Sequence, residues 1–295
     1  MSSTGFITQQ IIIYGGITII ITGLIGNIFN LIVFLSLRTF REISSSFYLV
    51  MMSIFSITQL CLTVLSRVLV GINSSDGTNM SMFWCKCRNF LSHLFQILLL
   101  ICFCLVTIDQ YCATCPYQHF RKFCQIKIAQ RLVLLFVFIC FLHGIPYLIF
   151  YNLSISTTGQ VSCIITNPIY AQYRTYVILV GLVGFLPIII TIIFGSMAFY
   201  NVQQLTYYTV PLVRRELDKQ LTSMILIQVL INLFLLSPVV IISVLLLNLD
   251  LFRDLNVKAQ IQFSFNIAII LYYIHLCVSN RICFFFFFYF IKRLF

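Results

Sequence analysis

Residues 83–113 read FWCKCRNFLSHLFQILLLICFCLVTIDQYCA. Between Arg88 and Asp109 no side chain carries a charge, and that interval alone supplies the ~20 mostly apolar residues a helix needs to cross a ~30 Å hydrocarbon core. Six further stretches of the same character flank it, giving spans at 11–37, 47–70, 83–113, 130–151, 173–202, 221–247 and 259–285. Backbone groups in lipid are satisfied only by helices or closed barrels, and these stretches are too long for the ~10-residue alternating strands of a barrel. The expected fold is an all-α membrane protein, a single bundle of seven transmembrane helices filling residues 1–295. With 61% hydrophobic and 8% charged residues, the chain has far fewer charges than the ~25% of a soluble domain.

The formal net charge of +11 raises nucleic acid as a partner, but its distribution argues against one. Arg38, Arg41, Arg121, Lys122, Lys127, Arg131, Arg214, Arg215, Lys219, Lys292 and Arg293 fall on one side of the bundle. Lys86, Arg88, Arg174, Arg253 and Lys258 fall on the other, mixed with Asp76, Asp250 and Asp254. The positive-inside rule then places the N-terminus outside and the C-terminus in the cytoplasm, with the basic residues against anionic lipid. Acceptor patterns for N-glycosylation at Asn73, Asn79 and Asn152 all lie in loops that this rule makes extracellular. Met1–Gln10 has no charged side chain and no small-residue cleavage site, so no cleaved signal peptide is expected and the first span serves as insertion signal.

Of the twelve cysteines, Cys61, Cys102, Cys104, Cys140, Cys277 and Cys283 lie in apolar stretches and read as small hydrophobes. Cys112, Cys115 and Cys124 face the reducing side, where a structural disulfide is not expected. Cys85, Cys87 and Cys163 remain on the oxidising side. A bridge from the start of the third stretch to the loop holding Cys163 would tie that loop over the bundle's mouth. At the other end of the stretch, Asp109-Gln110-Tyr111 follows Cys85 after 25 residues to Gln110, about 37 Å of helix and one crossing.

A cysteine at the head of the third helix and an acidic triplet ending in tyrosine at its foot resemble the rhodopsin-like (class A) family of G-protein-coupled receptors. Gly26-Asn27 in the first stretch resembles the family's Gly-Asn pair. Pro187 and Pro238 match its prolines in the fifth and sixth helices, and Asn280 falls where the family has Asn-Pro-x-x-Tyr. The segment ending Lys292-Arg293 resembles its membrane-surface helix 8. The resemblance covers nearly the whole chain. It implies a plasma-membrane receptor that transduces an extracellular ligand to a heterotrimeric G protein, with a Cys85–Cys163 disulfide, Asp109, Gln110 and Tyr111 at the coupling end, and Pro187 and Pro238 as pivots.

The chain also departs from that pattern. Gln110 stands where the family has arginine and cannot form its ion pairs. Leu236 replaces the tryptophan of the sixth helix, and Arg281 and Phe284 replace the proline and tyrosine of the seventh. Ser56 and Leu99 stand where a sodium pocket would need a carboxylate and its partner, so sodium is not expected to bind. The loss of the arginine leaves open either a receptor that still couples or a divergent copy that binds without signalling.

For the extracellular ligand, the scarce polar side chains of the outer half are Arg67, Ser92, His93, Gln96, Asn266, Tyr272 and Tyr273. Arg67 could hold an acidic group, or it could snorkel to headgroups. His93 and His143 read as interhelical hydrogen bonders. Ser92 replaces the aspartate of amine receptors, and no lysine lies inside the seventh stretch, so neither an amine nor a retinal Schiff base is expected. A peptide or small anionic molecule is what elimination leaves. No cofactor and no metal is expected. A transporter is the reading from another class, but no internal duplication with midplane charges appears. Enzyme chemistry finds no His-x-x-Glu-His or Gly-x-Ser-x-Gly pattern.

Overall fold

The computed structural model describes residues 3–36, 43–73, 81–155, 161–204, 234–246 and 260–277, with single positions at 223, 227, 230, 231 and 257. Asn79, Asn280, the proposed helix 8 and the basic groups around 38–41 and 214–219 lie outside the described residues.

Among the described residues six helices are long and apolar enough to cross a membrane: Gln9–Ser36, Ser44–Ile72, Met82–Thr114, Ile126–Phe150, Pro168–Gln204 and Gln260–Cys277. They are α1, α2, α3, α4, α5 and α7. Between the last two lies α6, a shorter apolar helix at Phe234–Leu246. The chain is therefore an all-helical membrane protein in its main architecture. α1 extends back to Ser3, and α4 starts four residues before the apolar stretch at 130. Helices continue through the polar flanks because hydrogen bonding, not hydropathy, decides where they stop. Ser81 caps α3 by accepting from the Trp84 amide. Asn167 caps α5 by accepting from the Ile169 and Tyr170 amides, with Pro168 at the first helical position.

α3 is the central helix and packs against α2, α4 and α5, while α1 packs on α2. Leu98, Cys102 and Val106, one turn apart, are almost fully buried in its core. The opposite character marks the periphery. Ile21, Ile25 and Ile32 on α1 and Leu134 and Phe138 on α4 are more than half exposed, forming an apolar outer surface of the kind that lipid covers.

Two helices are interrupted by wider π turns. In α2 the π stretch is Leu60–Val64, and in α5 it is Arg174–Phe185, just before Pro187. The Leu62 carbonyl accepts from Ser66 Oγ at 2.7 Å and from Arg88 Nε of α3 at 3.4 Å. Side chains thus take up backbone groups that the altered turn leaves.

The segment expected as a plain loop between α4 and α5 is a β-hairpin. β1 (Tyr151–Ile155) pairs antiparallel with β2 (Val161–Ile165), with Leu153 opposite Cys163. Its β-branched residues supply a short strand signal that seven apolar spans overshadow.

α3 and α4 approach closely at Gly144. A Cβ there would meet the Phe90 ring edge at 2.6 Å, and Phe90 is itself buried and packed edge-on against Phe141. Gly144→Ala should therefore cost about 1–3 kcal/mol through overpacking, read as a lower thermal midpoint in detergent. An unchanged midpoint would show that Phe90 can turn aside.

Candidate functional site

The two ends of α3 carry the residues the sequence singled out. At one end Cys85, fully buried, is disulfide-bonded to Cys163 with Cα atoms 5.8 Å apart. The bond fixes the hairpin over the start of α3. Asn89 adds a second tie, donating to the Cys85 carbonyl at 2.8 Å and to Cys163 Sγ at 3.3 Å. Cys87 is a free, half-buried thiol. Of the glycosylation candidates, Asn152 lies on β1 and donates to Thr166 Oγ1 at 3.1 Å. Asn73 ends the helical backbone of α2.

The outer-half polar residues divide into two groups. Arg67, Asn266 and Tyr273 meet around a cavity of about 10 Å³ between α1, α2 and α7. Arg67 Nε donates to the Tyr273 hydroxyl at 3.2 Å, and its guanidinium lies 5.9 Å from that ring's centroid. The cavity is about the size one water requires, so anything larger must part these helices. Nearby, Gln96 joins α3 to α7 by donating to the Tyr272 hydroxyl at 3.0 Å. Gln59, which the sequence reading did not select, joins α2 to α3 by donating to the Ser92 carbonyl at 2.8 Å.

His93 belongs to the second group and points to α4 instead. Its Nε2 lies 3.2 Å from His143 Nδ1, and His143 Nε2 lies 3.3 Å from the Tyr173 hydroxyl. A neutral imidazole has one donor and one acceptor nitrogen, so a chain of bonds running in a single direction satisfies all three groups. His93 also stacks on Tyr147 at 4.2 Å. The histidines thus hold α3, α4 and α5 together, away from the Arg67 cavity.

At the far end of α3, Asp109 is buried against the first turn of α2. Ser44 Oγ donates to both carboxylate oxygens at 2.8 Å, and Ser45 Oγ donates to Oδ2. Gln110, only 2% exposed, donates through Nε2 to Ser45 Oγ at 2.9 Å. Gln110 and Asp109, which the sequence reading held unable to pair, are thereby joined through one serine. The Ile43 N-cap of α2 makes no side-chain cap bond. Asp109 bonds the first two side chains of α2 and not its free amides, and so places a carboxylate at the positive end of the α2 dipole. Tyr111 turns instead to α5, its ring 5.6 Å from that of Phe194.

Cys124, in the turn between α3 and α4, closes the cluster by donating to the Asp109 carbonyl at 3.4 Å. Its thiol is pushed well above the ordinary range, first by its hydrogen bond with Cys112 and then by burial, so it stays protonated and able to donate. The signal for Ser44 and Ser45 was available in the sequence, since a serine run before an apolar stretch marks a helix start. What it could not disclose is that the run receives a carboxylate from α3.

The proline residues sit where bonds must be replaced. Pro187 is buried, and Thr191 Oγ1 donates to its carbonyl at 2.6 Å. In α6, Pro238 cannot donate to the Phe234 carbonyl, and Ser237 Oγ does so at 3.4 Å. Asn27 is fully buried and donates to the carbonyls of Gly23 at 2.8 Å and Leu276 at 3.5 Å, tying α1 to α7. Ser56 and Leu99 are both buried in the core region between α2 and α3. Among the described residues there is no cluster of three or more His, Cys, Asp or Glu able to hold a metal ion.

No protein-family model matches the chain, and no curated protein matches it at a significant level.

Proposed function

We propose that this chain is a seven-helix receptor of the rhodopsin-like kind, carrying an extracellular signal across the plasma membrane to a heterotrimeric G protein. The observation that carries the reading is the organisation of α3. One end is tethered by Cys85–Cys163 to a hairpin, and the other holds Asp109 and Gln110 in a buried polar cluster with the start of α2. In this reading residues 221–247, of which α6 is the described part, form a full sixth span that pivots at Pro238. A ligand with an acidic group would be held by Arg67, with Tyr273 and Asn266 beside it. The small cavity there means that binding requires a conformer in which α1, α2 and α7 separate, so the ligand acts by shifting populations.

A second reading, a divergent copy that binds without signalling, draws on Gln110. Its side chain is engaged inside the bundle with Ser45, where a receptor's coupling residue must reach a partner. Nucleotide exchange on a panel of G proteins, in membranes bearing the chain or its Gln110→Arg variant, separates the two. The receptor reading expects exchange above empty membranes with at least one G protein, increased by Gln110→Arg. Silence from both versions, with surface expression established, favours the binding-only copy.

A further inference from the structure

A groove of about 460 Å³ opens between α3, α4 and α5, separate from the Arg67 cavity. That is roughly three times the volume of an apolar protein cavity known to stay dry and take up benzene. Apart from His143, every side chain lining it is aliphatic, aromatic or a thiol. Both nitrogens of His143 are already engaged, with His93 and Tyr173. The groove therefore offers water no hydrogen-bonding partner. Its rim faces outward, since Ile139 is 46% and Leu186 48% exposed on the membrane side of the bundle.

Its length identifies the occupant. Along α3 the lining runs from Ile97 to Ile108, which is about 17 Å of helix. That is about half of a ~30 Å hydrocarbon core, the depth of a single leaflet. One end adjoins Asp109, at the polar boundary of α3, and the other is closed by His143, beside His93 in the outer half. We infer that the groove is a binding site for one lipid acyl chain, drawn from the leaflet on the Asp109 side. A sterol is the competing occupant, and a photoreactive sterol in the test below separates the two. The chain would pack on Leu182, Pro187 and Ile190, across the point where α5 changes from its π stretch to an α-helix. Occupancy would thus support α5 where its own backbone bonding is interrupted.

The test uses the full chain in nanodiscs containing phosphatidylcholine with a diazirine at mid-chain. After photolysis, adducts are mapped by peptide mass spectrometry. They should concentrate on the peptides carrying 97–108 and 182–190, above those on the lipid face of α1 at Ile21, Ile25 and Ile32. Ile101→Trp and Ile139→Trp each fill the groove and should lower its adducts roughly tenfold, leaving α1 labelling unchanged. Leu134→Trp, on the exposed face of α4, should alter neither. Labelling of α1 and an intact Cys85–Cys163 bond report folding in every sample. If Ile101→Trp disturbs them, Ile139→Trp at the rim decides. Adducts spread evenly over all membrane faces, or retained in a folded groove-filled variant, would overturn the inference. So would a photoreactive sterol that labels the groove where the acyl probe does not.

Discussion

Cys85→Ser should lower the thermal midpoint of the detergent-solubilised protein by about 5–10 °C and reduce its amount at the cell surface. The bridge spans a sequence separation of 78 residues. For a free chain, closing a loop of that order is worth about 4 kcal/mol. Here α3 and α4 are both membrane-inserted, so the reduced chain has less freedom to gain, and about 2–3 kcal/mol is the expected cost. Cys85 is fully buried, so its serine hydroxyl would also lack a partner, whereas Cys163 is half-buried on the hairpin. The order of damage should therefore be Cys85→Ser, then Cys163→Ser, with Cys87→Ser close to the parent. An equal loss from Cys87→Ser would mean that the structural bridge uses the wrong partner. No loss from Cys85→Ser would mean that the hairpin is held by Asn89 and strand pairing alone.

The bundle was legible because hydropathy over 20 or more residues is a one-dimensional property, and lipid leaves few ways to satisfy a backbone. Hydropathy and sidedness reduced twelve cysteines to three, and the choice of Cys85 with Cys163 among them came from the family resemblance. Partner choice among side chains is different in kind. Asp109 stood out in the sequence as a lone acid at a helix end, but its partners Ser44 and Ser45 lie 65 and 64 residues away and meet it only through the crossing of α2 and α3. The sequence marked His93 and His143 as interhelical hydrogen bonders and Arg67 as a candidate anchor for an acidic group, but not which helix each would meet. Which face each occupies depends on helix rotation, and that one property sends His93 to α4 and leaves Arg67 beside Tyr273. The groove at α5 was hidden for the same reason, because a gap belongs to three helices and to no stretch of sequence. The π turns add to this, since each shifts the facing of every residue beyond it.

The cluster at Asp109 yields an ordering of variants that a purely signalling role would not produce. Asp109→Ala removes the acceptor shared by Ser44 and Ser45, leaving two buried hydroxyls to find new partners and the positive end of the α2 dipole without its carboxylate. Its expected cost is about 3 kcal/mol. The double variant Ser44→Ala/Ser45→Ala does the reverse, taking two hydroxyl donors from a buried carboxylate and the Ser45 acceptor from Gln110. Stripping one side of a buried charged arrangement costs about 3–5 kcal/mol, so this variant should be the less stable of the two. Removing all three groups together leaves no buried carboxylate to satisfy, and the triple variant should regain much of the loss. Thermal midpoints in a single detergent give the order directly. If the double variant matches the parent, Asp109 does not depend on those serines. If the costs simply add, the three groups do not act as one unit, and the start of α2 is held by packing of Tyr48 and Leu49 against α3 instead.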